Sequence, residues 1–329
     1  MQTFRTELKP QQASFSIDYQ CFTLGIGSCF IENMGAMLDA RQLPFLQNPF
    51  GIVYNPLSIA QQLATIMAFE GNTQPPFFTE KDLFQHNGLW GSLKHHGRFS
   101  GENSDLVLKN INDSLETARD FSQKTNRILL TFGTANVFTW KETGEVVANC
   151  HKLPPQYFEQ KRLNVDEIVS QFKAIFGKIF LQNPDCQIII TVSPIRHIRD
   201  GLVENNRSKA VLLLAADALS LLFEKVYYFP AYEIMMDDLR DYRFYERDMI
   251  HPNSTAIEYI WQFFSETFFD KKTKNVIQEV EKINAMLAHR PLHGADTEGY
   301  QKFREQLELK VLALQKQYSF LEFSKNKRQ

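Results

Sequence analysis

The sequence predicts an α/β protein built on a parallel sheet, and three observations carry that prediction. Four apolar runs, at 22–27, 127–133, 186–193 and 226–229, are brief, rich in Ile, Leu, Val and Phe, and bounded by Gly, Pro or Ser. Strands buried on both faces read this way. Stretches of helical period lie between the runs, and alternating strands and helices favour right-handed crossovers. Small or polar reactive residues also recur where each run ends, which core packing does not require.

The elements follow in order. After the first run, Phe30, Met34, Met37 and Leu38 share a helix face. Ile59, Leu63, Ile66 and Met67 share another, in a helix entered through Asn55 as N-cap and Pro56 at its first position. Over 165–182, Ile168, Phe172, Ile175, Phe176 and Ile179 fall at helical spacing. The run 208–224 is apolar almost all round and predicts a buried helix. A further helix is expected over 254–269.

The chain past residue 270 differs. Phe303, Leu307, Val311, Leu314, Tyr318 and Leu321 form an apolar stripe on a long helix. Residues 271–329 carry 12 Lys/Arg against 7 Asp/Glu, leaving the first 270 residues with 24 against 31. The expected organisation is an acidic α/β domain over 1–270 and a basic helical extension over 271–329. That extension docks on the body or, through a coiled-coil seam over 301–325, serves self-association.

Composition excludes several function classes. The 329 residues hold 36 basic and 38 acidic side chains, a net charge of −2, without the basic excess of a nucleic-acid binder. No apolar stretch reaches the 18 or so residues of a membrane span. Residues 1–12 mix Arg5, Glu7 and Lys9 with polar groups and show no secretory core. Cys21, Cys29, Cys150 and Cys186 form no CxxC pair and read as free thiols, so a cytoplasmic setting is expected.

In an open α/β sheet, ligands bind outside the carboxyl ends of the strands. The first run ends in Gly27-Ser28-Cys29-Phe30, the second in Thr131-Phe132-Gly133-Thr134-Ala135-Asn136, and the third in Ser193-Pro194-Ile195-Arg196-His197. Asp248-Met249-Ile250-His251-Pro252-Asn253 precedes the 254–269 helix. Ser28, at a strand-to-helix turn where N–H groups gather, is the candidate nucleophile; a small residue at a tight turn is the plainer explanation. Cys29 beside it is a second candidate. His251 is the candidate general base, with Asp248 three residues earlier to fix its tautomer. Alone, that D-x-x-H is equally a polar loop entering a helix. Serine early, Asp-x-x-His late and an Asn after a middle strand reinforce one another.

Arg196 and His197 follow the third strand on the active edge and are candidates for substrate contact. His86, His95 and His96 lack an acidic partner at metal-ligand spacing, so no metal is expected. The three histidines read instead, with Arg98 and Phe99, as a loop over the site, His96 and Arg98 being candidates for substrate contact.

Gly27-Ser28-Cys29-Phe30-Ile31-Glu32-Asn33 resembles the motif that names the GSCFA family. So do Asn48-Pro49-Phe50-Gly51-Ile52-Val53-Tyr54-Asn55-Pro56, Val147-Ala148-Asn149-Cys150-His151-Lys152, Ser193-Pro194-Ile195-Arg196-His197, and Tyr242-Arg243-Phe244-Tyr245 with Asp248 to Asn253. The resemblance spans about residues 20–265. It implies a branch of the SGNH/GDSL hydrolase superfamily, whose members cleave or transfer esters on a flavodoxin-like three-layer α/β/α fold. It implies Ser28 as nucleophile and Asp248 and His251 as its partners. The oxyanion hole would comprise the N–H groups of Ser28 and Gly51, Asn48 being the less favoured choice, and the Asn136 amide. Asn136 stands three residues after Gly133 where the superfamily pattern has two.

The expected function is a cofactor-free serine esterase, with acyl or acetyl groups on a carbohydrate as the substrate class the resemblance implies. An O-acyltransferase using the same site is the nearest alternative, and a non-catalytic binding or scaffold protein is the competing class.

Overall fold

The computed structural model describes residues 6–69, 77–289 and 297–323. β1 (Phe22–Gly27) leads into α1 (Cys29–Asp39), then β2 (Phe45–Gln47) and α2 (Pro56–Met67). A hairpin of β3 (Phe84–His86) and β4 (Leu89–Gly91) precedes α3 (Ser104–Ser122) and β5 (Thr125–Phe132). β6 (Asn136–Trp140), β7 (Val146–Val147) and β8 (Phe158–Arg162) form a small antiparallel sheet in the order β7-β6-β8. α4 (Val165–Gln182), β9 (Gln187–Val192), α5 (Leu202–Leu222) and β10 (Val226–Tyr228) follow. The short α6 (Ala231–Glu233) runs into a π-turn over Ile234–Asp238, and α7 (Ser254–Phe268), α8 (Lys271–Ala288) and α9 (Glu298–Gln317) end the described chain.

The five-stranded sheet has the order β10-β9-β5-β1-β2, and every pair in it is parallel. Counting only its own strands in chain order, this is 2-1-3-4-5, the flavodoxin-like arrangement. Each strand alternates between two cores. Leu24, Ile26, Ile128, Leu130, Ile188 and Ile190 face α2, α3, α4 and α5 through Leu63, Leu115, Phe172 and Leu212. Leu129 and Ile189 face α1 and α7 through Phe30, Met34, Leu38, Ile260 and Phe264. The result is the three-layer α/β/α sandwich expected.

All four apolar runs are strands of this sheet. β2 escapes sequence reading because three residues after Pro44 show no periodicity. The 208–224 run lies in a helix as expected, but that helix is not buried all round: Leu214 and Leu221 are 60% and 80% exposed.

The tail helices lie against the body. Val276, Val280 and Ile283 of α8 and Leu307 and Leu314 of α9 join the buried cluster that contains Leu38 and Phe264. Arg41 pairs with Glu281 at 2.5 Å and lies over the Trp261 ring, 4.5 Å from its centroid. The Asn284 amide donates to Ala40 O at 2.8 Å.

Candidate active site

The chain passes from β1 to β2 on one side and later returns to β5 on the other, so the crevice opens at the carboxyl ends of β1 and β5. There Gly27 approaches β5 so closely that a Cβ would sit 2.4 Å from Thr131 O. Ser28 follows as the N-cap of α1. Its side chain is wholly buried, and its Oγ accepts the Phe30 N–H at 3.3 Å. Cys29, the first residue of the helix, is half-buried. Burial pushes its thiol up to about 11, aided by the Glu32 charge and opposed by nearby backbone N–H groups and Lys209.

The loop after β2 is anchored by Asn48. Its Oδ1 accepts the Gly27 N–H at 2.8 Å, its own N–H donates to Gly25 O, and its carbonyl accepts from Gly51 N–H and Arg98 Nη2, both at 2.7 Å. Its Nδ2 is enclosed and has no hydrogen-bond partner among the described residues. The Gly51 N–H expected in an oxyanion hole is therefore committed to Asn48 O in this conformation. Gly51 has φ +84°, and a Cβ there would meet the His96 Cβ at 2.2 Å. His96 caps a single 3₁₀ turn, its Nδ1 accepting the Arg98 N–H at 3.3 Å. His96 and Arg98 thus belong to a loop packed on the Gly51 turn.

Beyond β5, Gly133 and Thr134 both donate to Tyr54 O, at 2.8 and 3.1 Å. Asn136 opens β6 opposite Arg162, and its Nδ2 donates to Asp200 at 3.2 Å. Its amide is thus engaged with Asp200 through the pairing of β6 with β8. His197 sits with Nε2 3.0 Å from the position a Gly133 Cβ would take, against the Tyr54 ring at 4.9 Å. Burial, then the charges of Lys209 and His251, hold its imidazole down at about 3, so it is neutral. Its Nε2 has no partner.

Sequence reasoning missed Lys209. This fully buried residue of α5 donates from Nζ to Gly133 O and Ser193 O, the carbonyls just past β5 and β9, each at 2.7 Å. Burial lowers its pKa to about 7. A single lysine at the start of an otherwise apolar helical run was the available signal.

Asp248 and His251 lie on the rim. Asp248 Oδ1 accepts the N–H groups of Ile250 and His251 at 2.9 and 3.0 Å, and Oδ2 meets His251 Nδ1 at 2.6 Å. The His251 backbone and ring donors, then the Ile250 N–H, hold the carboxyl down at about 2. An ionised carboxylate only accepts, so Nδ1 carries the proton and Nε2 is left as a base. Arg196 is clasped between tyrosines, with Nη2 3.0 Å from Tyr245 Oη and its guanidinium 4.8 and 5.5 Å from the Tyr245 and Tyr242 rings.

Phe50 also lines a cavity of about 310 Å³ with Gln62, Phe78, Asp82 and Lys94; Ser28, Cys29, Asp248 and His251 do not border it. Among the described residues, no three His, Cys, Asp or Glu side chains gather as a metal site. None of the described helices is long and apolar enough to cross a membrane.

Comparison with known proteins places this geometry in context. The GSCFA family matches residues 23–264, and the GSCFA domain protein C-terminal domain matches 280–329. No curated protein matches the chain. Among solved structures, a carbohydrate esterase family 3 protein from Talaromyces cellulolyticus is 9% identical, with a TM-score of 0.34 over 80% of this chain and 99% of its own. An acetyl esterase variant with acetate ion is 10% identical, with a TM-score of 0.35 over 80% and 99%.

Proposed function

Because the chain belongs to the GSCFA family, and its rim holds an imidazole oriented by a carboxylate, we propose that it is an ester hydrolase working through an acyl-enzyme. The observation that carries this is the Asp248–His251 contact at 2.6 Å, with the His251 charge acting on His197, which follows β9. It leaves His251 Nε2 free to take a proton from a nucleophile and return it to the leaving group. The nucleophile comes from the β1–α1 turn, where Ser28 and Cys29 stand side by side at the N-terminus of α1, whose dipole favours developing negative charge.

The substrate class proposed is an O-acylated carbohydrate. Arg196, which follows β9, is clustered with Tyr242 and Tyr245, and such planar donors and rings bind sugar hydroxyls and faces. An acceptor hydroxyl in place of water makes the same site an O-acyltransferase.

The test is turnover of p-nitrophenyl acetate and of an acetylated oligosaccharide by the wild type and by Asp248→Asn. The amide cannot hold the imidazolium that forms, so kcat falls by about 10²–10⁴ with little change in KM. A wild type inert to both esters, or an Asp248→Asn variant of full activity, refutes the reading.

A further inference from the structure

We propose that Cys29, not Ser28, is the nucleophile, and that the Asn48 side-chain amide donates to the oxyanion. This rests on the ester-hydrolase reading and names its reacting atoms.

The argument begins with what each side chain of the turn already does. Ser28 has no exposed surface, and its Oγ is engaged with the Phe30 N–H as a helix N-cap. Using it as a nucleophile requires opening that cap. Cys29 is one residue further into α1 and, unlike Ser28, keeps part of its surface exposed. The charges of Lys209 and Glu32 reach it, and it interacts with the Tyr54 phenol.

Asn48 supplies an independent observation. The side chain is wholly buried, its Oδ1 is held by the Gly27 N–H, and its Nδ2 has no acceptor. An enclosed amide donor without a partner is uncommon because its lost hydration is not replaced. Here the amide abuts the residue just before Ser28 and Cys29. A substrate oxygen bound at that turn supplies the missing acceptor, and the bond strengthens as the carbonyl becomes an oxyanion. Gly51 and Asn136, by contrast, have their donors committed elsewhere.

The chemistry then balances. Burial keeps the thiol protonated at neutral pH, so its proton must leave during attack. Cys29 Sγ bonds to the ester carbonyl carbon as the proton passes to His251 Nε2. The oxyanion collapses, the carbon–oxygen bond to the alcohol breaks, and His251 protonates the departing oxygen. A thioester on Cys29 and a free alcohol remain. Water, losing a proton to His251, then attacks the thioester. The carboxylic acid leaves and the proton returns to sulfur.

The experiment locates the acyl group. Wild-type protein is acetylated with p-nitrophenyl acetate, quenched in acid, mapped by peptide mass spectrometry and treated with neutral hydroxylamine. The expected result is acetyl on Cys29, released by hydroxylamine as a thioester; acetyl on Ser28 overturns the assignment. Cys29→Ala abolishes turnover, while Ser28→Ala lowers Tm through the lost cap and still forms the Cys29 thioester. Turnover surviving in Cys29→Ala refutes the nucleophile while leaving the ester-hydrolase reading intact. A wild type that hydrolyses no ester overturns both. Asn48→Asp keeps the acceptor for Gly27 and removes the donor, so kcat falls about 10²–10³-fold with KM nearly constant. Unchanged kcat there overturns the oxyanion assignment.

Discussion

Asp248 and His251 expose 45% and 47% of their side chains and hold each other across three residues of one loop. Asn48 and Lys209, on the floor of the same crevice, are buried and bonded to partners 16 to 76 residues away. The rim orients one base by local hydrogen bonds in water. The floor ties separate strand ends together in a dry interior. Substitutions on the rim should therefore alter turnover without altering stability, and substitutions on the floor should alter stability strongly.

His251→Ala gives the largest expected effect and the cleanest separation. Loss of the base lowers kcat by about 10²–10⁴. The Asp248–His251 pair is solvent-exposed and such pairs contribute little to stability, so Tm moves by no more than about 2 °C. Thermal unfolding and p-nitrophenyl acetate kinetics on one preparation check both halves. A large fall in Tm would show that the rim is structural as well.

Lys209→Met tests the floor. The substitution leaves Gly133 O and Ser193 O without their buried donor, a loss of about 2–5 kcal/mol. The wild type also carries a pH signature. Its lysine is at about 7 when folded against 10.5 for the unperturbed group, so between those values the unfolded chain binds the extra proton. Stability contributed by this group therefore rises with pH across that window, and is flat below it. Denaturant unfolding at pH 7 and pH 9.5 should show the rise in wild type and its loss in Lys209→Met. Equal slopes would place the titration elsewhere.

These two residues also show what was legible in the chain. Asp248 and His251 are readable because their geometry is local: one turn of loop brings Oδ2 to Nδ1. The strands are readable because burial on both faces leaves continuous apolar runs such as Ile188, Ile189 and Ile190. Lys209 is not readable as a floor residue, since its partners lie at two strand ends and nothing within α5 announces them. Asn136 shows the same limit in another form. The extra residue after Gly133 is visible, but only the antiparallel register of β6 with β8 sends the amide to Asp200. Spacing identifies a residue type near an edge; tertiary pairing decides where its atoms point.

A smaller effect comes from His95, enclosed against the rings of Phe50, Phe78 and Phe99, with Nδ1 3.1 Å from Ser92 Oγ. Burial, then the Lys94 charge, lowers its pKa to about 3 from 6.5. The folded protein resists a proton that the unfolded chain accepts below 6.5, so stability falls as pH drops from 6.5 towards 3. At pH 5 this group alone removes about 2 kcal/mol. His95→Phe should reduce the loss of unfolding free energy between pH 7 and pH 5 by that amount, leaving the slope contributed by His197. An unchanged decline would show that His95 is not the buried base responsible.

The smallest expected effect returns to the rim and asks whether its exposed residues bind rather than support. Arg196 bridges Tyr242 and Tyr245 with a planar guanidinium, and Tyr242 itself is 60% exposed. Lysine keeps the charge but cannot make both contacts or stack on both rings. The paired hydrogen bonds that a guanidinium but not an ammonium can make to sugar hydroxyls are worth about 1 kcal/mol, equivalent to roughly fivefold in affinity. Arg196→Lys should therefore raise KM for an acetylated oligosaccharide about fivefold, leave kcat unchanged, and hardly move Tm. A fall in Tm matching that of Lys209→Met would mean that the tyrosine clasp belongs with the floor. The division between a chemical rim and a structural floor would then have to be drawn through Asp248 and His251 alone.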